Sequence, residues 1–519
     1  MPVDAISLAV FRSLFESVAE EMGVTLQRAA FSPNIRERLD FSCAIFDHDA
    51  RMMAQAAHIP VHLGSMPASV EAAVKAFDSF SPGDVIVLND PYFGGTHLPD
   101  VTMVSPVFIG DTVHFFVASR AHHADVGGMS PGSLPLSTEL YQEGLILPPI
   151  KLVESGKRSE SVLRIITANS RAPEERLGDL EAQLAAQRVG ERRLQALVAA
   201  HGLAEVQAHS DALLEYSRRM TEAVIAVIPD GVYTFEDALE GDGQGEYRIP
   251  ICATITVEGS AMVVDFAGSA PQVAGNLNAV EAIVRSATWY CVRLLAQDDL
   301  PVNHGCFDPV TVITPPHSLL NPDFPAAVAV GNTETGQRVT DVVLGALAQA
   351  LPDRIPASSQ GTMNNFTVGA AGGAGRAFVY YETIAGGHGA SPVHDGISGR
   401  HSHMTNTRNT PVEALEYALP MRVHAYHLRE GSGGAGLHHG GDGIVREYKF
   451  LTSAQVTLNS ERRIYAPYGL EGGEAGQRGV NRLIRNGVEQ NLGGKWTGQI
   501  QPGDRIIIET PGGGGWGKA

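Results

Sequence analysis

Cysteine is scarce in this chain of 519 residues. The four cysteines, Cys43, Cys252, Cys291 and Cys306, stand far apart and form no CxxC pair. Such a set supports neither a disulfide framework nor a cysteine-rich zinc site. We therefore predict reduced and mostly buried thiols in a cytoplasmic protein.

The sequence also lacks a long apolar run and a basic segment ahead of apolar residues. A transmembrane helix needs roughly 18 or more apolar residues, and a signal peptide starts with positive charge. Near the N-terminus, Ile6, Val10, Leu14, Val18 and Met22 recur every four positions, which predicts an amphipathic helix. We expect a soluble, cytoplasmic protein that does not contact membranes.

Positive charge is in deficit, with 38 Lys and Arg against 57 Asp and Glu and a net charge of −19. An acidic surface repels phosphate backbones, so nucleic-acid binding is disfavoured. Aromatic residues amount to only 7%, whereas there are 57 glycines. Glycine in such excess indicates many tight loops and close backbone approaches.

The order of the segments predicts a mixed α+β fold with several domains, a helix-rich middle and a β-rich C-terminal half. Residues 83–90 and 111–120 are strand-like, and short loops rich in Gly, Pro and Asp are expected between them. The strongest helical stretch is 172–227, with a break near Gly202.

The turn signal Pro229-Asp230-Gly231 marks a predicted domain boundary, because strands dominate after it. Residues 1–229 would form an N-terminal α+β domain that carries the polar motifs described below. Residues 230–519 would form a β-rich domain with helices and a glycine-rich C-terminus.

The densest group of polar residues lies at 89–100 and 121–125, and each piece follows a predicted strand. His97 and Asp100 can face one point through the turn at Pro99, and His122 or His123 would complete a two-His, one-carboxylate set. Such a set leaves open coordination positions and suits Mn, Fe or Zn. The alternative is a buried His–Asp pair that satisfies its own hydrogen bonds.

Other histidines form weaker patterns. His58 and His62 have i,i+4 spacing, but Pro60 between them argues against a helical face, so we interpret them as structural. The polar segment 385–411 contains four histidines and could line a substrate path. The pair His438-His439 beside two glycines is typical of a turn.

Motifs for phosphate binding and for a serine nucleophile are absent, since neither GxxxxGK[ST] nor GxSxG occurs. The glycine runs 431–436 and 511–517 lack the strand-glycine-helix setting of a nucleotide fold. If the activity uses ATP, we expect another chain to bind it.

Several long motifs together resemble the hydantoinase B/oxoprolinase family, in order along about residues 4–517. They are SPNIRERLDFSCAIFD, HIPVHLGSMP, NDPYFGGTHLPDVTMVSPVF, ASRAHHADVGG, HMTNTRNTPVE and TPGGGGWG. That family comprises the B-type chains of ATP-dependent N-methylhydantoinases and 5-oxoprolinase-type enzymes, the caprolactamase small subunit, and metal-bearing subunits of acetone-type carboxylases.

The resemblance implies a two-subunit enzyme that hydrolyses a small cyclic amide. An A-type, actin-like ATPase partner would bind ATP and phosphorylate the amide oxygen, and a metal-bound water on this chain would attack the activated substrate. The resemblance puts the divalent metal on His97, Asp100 and His122. By position alone, His123 or Asp125 would take or orient the proton of that water.

Two other functions stay open on the sequence alone. The chain could be the metal-bearing subunit of an acetone-type carboxylase, or a scaffold without catalysis that stabilises the ATPase. Its length favours the hydrolase. Transfer of a labile phosphorylated intermediate favours a large stable interface, so we expect a dimer of heterodimers.

The missing phosphate motifs lead to a prediction for the isolated chain. It should show no micromolar affinity for ATP, because none of its glycine runs precedes a helix that could hold phosphate. Isothermal titration of the purified chain with ATP measures this directly, and micromolar binding would contradict it.

Overall fold

The computed structural model of the protein describes residues 3–56, 59–296, 300–370 and 377–519. The helices are α1 (Ala5–Ala29), α2 (Pro33–Arg36), α3 (Ser65–Lys75), α4 (Glu160–Ala168), α5 (Pro173–His201), α6 (Leu203–Ile225), α7 (Glu281–Leu294), α8 (Gly336–Ala350) and α9 (Val412–Ala418). Short 3₁₀ turns and a π-helical turn at Gly331–Thr335 connect some of them. None of the helices described combines the length and the apolarity that a bilayer crossing requires.

The strands of the first half are β1 (Phe41–Asp47), β2 (Met52–Ala56), β3 (Val85–Leu88), β4 (Asp100–Ile109), β5 (Thr112–His122), β6 (Ile150–Glu154) and β7 (Lys157–Arg158). Those of the second half are β8 (Gly231–Leu239), β9 (Ile249–Glu258), β10 (Ala261–Asp265), β11 (Val310–Ile313), β12 (Asn365–Ala370), β13 (Phe378–Glu382), β14 (Met421–Arg429), β15 (Gly443–Phe450), β16 (Ala454–Asn459), β17 (Val480–Arg485), β18 (Val488–Asn491), β19 (Lys495–Ile500) and β20 (Arg505–Glu509). The mixed α+β class predicted from the sequence is therefore confirmed.

The first sheet runs β2-β1-β5-β4-β3-β6-β7 and is antiparallel at every pairing. Strand β1 is buried along its whole length because helices cover both faces of the sheet. Cys43 and Ile45 point into the core shared with α1 and α5, while Ala44 and Phe46 pack with α3. This alternation follows from the two-residue period of a strand.

The predicted N-terminal helix exists as α1, and Val18 and Met22 of the predicted face are buried, but the first half of that face is not. Ile6 and Val10 are 79% and 50% exposed, whereas Phe11, Phe15 and Leu26 are buried against the first sheet and α5. The aromatic residues shift the buried stripe by one position relative to the fourfold spacing of the aliphatic residues.

The predicted break in the long helical stretch is confirmed at Gly202, which separates α5 from α6. Gly202 has a φ of 85°, a conformation that favours glycine. The thiol prediction also holds, because all four cysteines are unpaired and three of them are buried.

Three sheets form the rest of the fold: β11-β10-β9-β8, β13-β12-β16-β19 and β14-β15-β20-β17-β18. Helices α7 and α8 pack together, and α8 covers β8 and β9. The last two sheets enclose a core in which Phe366 stacks on Tyr448 with ring centroids 4.5 Å apart.

Among the described residues, no pairing between the named strands crosses residue 229, but an isolated β-bridge joins Glu139 to Ala326. The largest apolar core also contains side chains from both sides, such as Val87 and Leu180 together with Ile251 and Val342. The boundary at residue 229 therefore stays a prediction.

Glycine-rich segments pack into a bundle of bare backbone, which we call the glycine bundle, formed by residues 386–389, 431–443, 469–476 and 511–517. Gly434 N–H donates to the Gly513 carbonyl, Gly513 N–H to Gly441, and Gly441 N–H to His388, at 2.8–2.9 Å. A side chain at Gly440 or Gly513 would overlap a neighbouring carbonyl. These runs therefore serve packing.

Replacement of Gly513 by Ala should destabilise the fold by more than about 3 kcal/mol, because the new methyl group overlaps the His388 carbonyl, which cannot move aside. Gly245→Ala is the matched control, since its methyl group would meet only the Tyr247 ring at 3.5 Å. Urea unfolding midpoints of the two variants measure the difference, and equal midpoints would contradict the packing role.

Candidate metal centre

The hairpin of β4 and β5 builds the centre of the site. Asp100 is the first residue of β4 and His122 is the last residue of β5, and the two are direct partners in the antiparallel register. His97 lies three residues before β4, and its carbonyl accepts a hydrogen bond from Asp100 N–H at 3.1 Å. The open end of the hairpin therefore brings the three side chains together.

This geometry corrects one expectation. The sequence predicts loops at the C-terminal ends of the strands 83–90 and 111–120, which would meet if the two strands were neighbours. Instead β4 lies between β3 and β5, in a stretch that we expected to be loop. Pro106 on β4 pairs with Phe116 of β5 and lies beyond the pairing with β3, which stops at Val104 opposite Ile86, so its missing N–H disturbs no second ladder.

Three donor atoms converge at the hairpin end. His97 Nε2 lies 3.3 Å and His122 Nδ1 3.2 Å from Asp100 Oδ1, and the two nitrogens are 3.2 Å apart. Ligands that bind one metal at about 2.0–2.2 Å with angles of about 90–110° are separated by about 3.0–3.5 Å. The spacing of the three atoms matches this requirement.

The two oxygens of Asp100 have different surroundings. Oδ2 accepts a hydrogen bond from the Thr96 hydroxyl and lies 3.5 Å from His62 Nε2. Oδ1 is buried without a hydrogen-bond partner, and it is the oxygen that faces the two imidazoles. Thr96 and His62 thus orient the carboxylate so that one oxygen is available for a cation.

His62 is a site residue that the sequence interpretation missed. It ends a 3₁₀ turn at Pro60–His62, is buried, and its Nδ1 lies 2.9 Å from the Ser42 hydroxyl. Pro60 argued against His62 as a site residue because it disfavours a helix, but His62 reaches Asp100 from a 3₁₀ turn and no helix is required. His58, the other member of that pattern, lies outside the described residues.

His97 is fixed in one tautomer by the backbone. Its Nδ1 lies 2.9 Å from the Ala329 carbonyl, which can only accept, so Nδ1 carries the proton and Nε2 presents a lone pair. His122 is held differently, since the Tyr381 ring stacks on its imidazole at 4.6 Å and its Nε2 is buried without a partner.

Burial and charge act against each other on these groups. Burial disfavours the charged form of Asp100, but the imidazoles of His97, His122 and His62 outweigh it and hold the pKa of Asp100 well below its usual range. Burial likewise opposes ionisation of His97, yet the Asp100 carboxylate raises the His97 pKa. For His122 burial prevails, and its pKa is lowered. The carboxylate is therefore a charged acceptor.

Arg120 contributes a buried positive charge two residues before His122 on β5. Its guanidinium donates to the hydroxyls of Thr102, Ser65 and Ser69, and no carboxylate contacts it among the described residues. Burial lowers its pKa to about 10, and the nearby charge of Asp100 opposes that shift. The positive charge of Arg120 helps to keep Asp100 ionised.

A small cavity opens beside the three donor atoms. Its walls are lined by Asp40, Ile59, Val61, His62, His97, Asp100, His122, Asn332, Thr333, Met363, Tyr381, Thr383, Met404, Thr405 and Thr407. The free volume is about 20 Å³, which is room for one water-sized occupant and too little for a lactam ring. Asp40 adds a second carboxylate to the two imidazoles and Asp100.

The structure does not bring His123 and Asp125 to this cavity. The next residue after His122 points to the opposite side, and His123 Nε2 donates to Gln183 Oε1 on α5 at 2.9 Å. Burial, together with the charge of Arg176, lowers the His123 pKa to about 3. Asp125 forms an ion pair with Arg171 at 2.9 Å. Their predicted roles in proton transfer gain no support from these contacts.

The polar segment 385–411 reaches the site through its threonines. Thr405 and Thr407 line the cavity, whereas His388 Nε2 donates to the carbonyl of His401 and His394 is exposed. His438 lies in the glycine bundle and exchanges backbone hydrogen bonds with Trp516. Among the described residues, this segment contributes hydroxyls and no imidazole to the cavity lining, and the predicted substrate path stays a prediction.

Comparison with known proteins gives consistent results. The model of the hydantoinase B/oxoprolinase family matches residues 4–519. An uncharacterised protein of Methanocaldococcus jannaschii is 42% identical over 99% of this chain and 91% of its own length. The putative B-type subunit of a D-/L-hydantoinase from a Pseudomonas strain is 33% identical over 99% of this chain and 90% of its own.

The 5-oxoprolinase 1 of Arabidopsis thaliana is 42% identical over 99% of this chain, which spans only 42% of that protein. Among solved structures, the ATP-dependent caprolactamase of Pseudomonas jessenii has a TM-score of 0.94 at 32% identity and covers all of this chain and 92% of its own. An acetone carboxylase, at 16% identity and a TM-score of 0.90 over 99% of this chain and 76% of its own, shares the fold.

Neighbouring histidines give a direct test of the site. His122→Ala should lose stoichiometric metal, because it removes one of the three converging donor atoms, whereas His123→Ala should keep it, because His123 faces Gln183. Elemental analysis after loading with Mn, Fe or Zn and desalting measures the metal content, and thermal melts verify folding. A folded His123→Ala protein without metal would contradict this assignment.

Proposed function

The chain belongs to the hydantoinase B/oxoprolinase family, and we propose that it is the metal-bearing subunit of an ATP-dependent cyclic amide hydrolase. The observation that carries this proposal is the convergence of His97 Nε2, His122 Nδ1 and Asp100 Oδ1 at 3.2–3.3 Å in a buried cavity. Relatives named for 5-oxoproline, hydantoin and caprolactam support a lactam or imide as substrate.

The donor set fits a divalent metal of borderline hardness. Two imidazoles and one carboxylate would hold it, Asp40 lines the same cavity, and all four cysteines lie outside the lining. Open positions remain, as a catalytic centre requires. The unpartnered Asp100 Oδ1 is the second indication, since a buried carboxylate oxygen without a donor is costly unless a cation satisfies it.

A metal held there would supply a Lewis acid and lower the pKa of water to near neutrality. The protein residues prepare this chemistry. Ala329 keeps the proton on Nδ1 of His97, and Thr96 and His62 hold Oδ2 of Asp100. The apolar walls at Ile59, Val61, Met363 and Met404 limit the water that reaches the centre.

Phosphorylation of the amide oxygen is assigned to an A-type ATPase partner, because an unstrained amide is a poor electrophile and this sequence has no phosphate motif. The Pseudomonas relative is named as the B-type member of a hydantoinase, which supports such a partner. The single long chains of the 5-oxoprolinases, of which this chain spans about two fifths, support the same division within one polypeptide.

Reconstitution with an A-type ATPase chain tests the proposal. The complex should open the ring of 5-oxoproline, N-methylhydantoin or caprolactam only with ATP and metal, and His97→Ala should lower the rate at least about 100-fold because a metal ligand is lost. His48→Ala, in the exposed β1–β2 turn, is the matched control with unchanged rate.

Product analysis by chromatography and a parallel assay with labelled bicarbonate distinguish the outcomes. Incorporation of the label into an organic acid would show that the complex is a carboxylase and not a hydrolase. A fully active His97→Ala complex would leave only a scaffolding role for this chain.

A further inference from the structure

The backbone that holds His97 has no regular secondary structure of its own. Ala326 forms an isolated β-bridge with Glu139, and residues 327–330 are irregular and turn backbone that leads to the π-helical turn. The Ala329 carbonyl in this segment is nevertheless the acceptor that fixes the His97 tautomer. A carbonyl in an irregular segment keeps its direction only if other contacts fix the segment. The neighbouring contacts therefore determine how well His97 is placed.

Glu143 provides that contact from a distant part of the chain. Its Oε1 accepts hydrogen bonds from Val328 N–H at 2.8 Å and from Ala329 N–H at 3.0 Å. The Ser137 hydroxyl donates to the same oxygen at 2.8 Å. The side chain is completely buried, and Oε2 has no partner.

The backbone around Glu143 and the segment 323–329 are also fixed to each other. Leu140 N–H donates to the Pro325 carbonyl at 2.8 Å, and the Tyr92 hydroxyl donates to the Ala326 carbonyl at 2.9 Å. A buried carboxyl group is expensive where hydrophobic residues would pack as well. Its presence here points to a task beyond packing.

We infer that Glu143 is a positioning residue that directs the Ala329 carbonyl at His97 Nδ1 and so orients the His97 imidazole toward the metal. This inference rests on the metal site proposed above. The arrangement resembles the carboxylate–histidine–metal pairing of many metalloenzymes, with the backbone of one residue, Ala329, between carboxylate and imidazole.

The protonation state of Glu143 does not change this task. Burial raises the Glu143 pKa to about 7, although its hydrogen bonds oppose the shift. A proton would sit on the unpartnered Oε2, so Oε1 accepts its three hydrogen bonds in either state.

Titration of the full-length chain with Co²⁺, followed by visible absorption, tests the inference. Glu143→Leu removes the acceptor at similar volume and should weaken Co²⁺ binding about 10- to 100-fold, as for other groups that orient metal ligands. Glu143→Gln retains an acceptor oxygen and should restore most of the affinity. Glu139→Leu, in the same turn but exposed, is the control with wild-type affinity.

Each outcome decides the matter. A folded Glu143→Leu protein with wild-type affinity and absorption bands, even if it melts at lower temperature, would make Glu143 merely structural. Equal weakening by Leu and Gln would also overturn the inference, since the acceptor would then be irrelevant.

If Glu143→Leu fails to fold, Ser137→Ala replaces it, because it removes one of the contacts that hold the carboxyl group. It should weaken Co²⁺ binding, and unchanged affinity would overturn the inference. A wild-type chain that binds no Co²⁺ would overturn both the metal site and the role of Glu143. Binding to wild type and Glu143→Leu alike would overturn only the latter.

Discussion

A carboxylate taken out of water must be compensated by neighbouring groups, and the site depends on how Asp100 is compensated. Three imidazoles, a threonine hydroxyl and the charge of Arg120 surround it, yet one oxygen still has no donor. Three elements supply these groups: β5 carries His122 and Arg120, the turn before α3 carries His62, and β4 begins with Asp100 itself. Removal of any one leaves charge or polarity unmatched.

The three residues whose donor atoms converge could be recognised in the sequence as candidates for a metal site. His97 and Asp100 stand three residues apart, and His122 follows a clear β-strand. The residue pattern alone could not decide between His122 and His123, since both follow the strand predicted at 111–120. The alternation of side chains along β5 decides it, and alternation is known only once the strand register is known.

Other parts of the site could not be predicted, for identifiable reasons. The sequence does not predict strand β4, because Pro106 and the preceding glycines resemble a loop. Pro106 is tolerated in the strand because the pairing of β4 with β3 stops at Val104. Glu143 and Tyr381 belong to no motif, and they reach the site through contacts with residues 185 and more positions away in the sequence. Elements with a clear sequence pattern, such as α5 and β5, agree with the prediction within a few residues.

The glycine bundle has a consequence for how relatives of this protein are recognised. Its glycines are demanded by backbones that lie against each other, and none of them touches the candidate site, so the C-terminal run TPGGGGWG reports architecture and not chemistry. A relative with the same fold but without His97 and Asp100 would still need these glycines, because side chains there would overlap neighbouring backbone. The glycine bundle therefore indicates the fold of a relative, whereas the proposed metal site has to be judged from His97, Asp100 and His122.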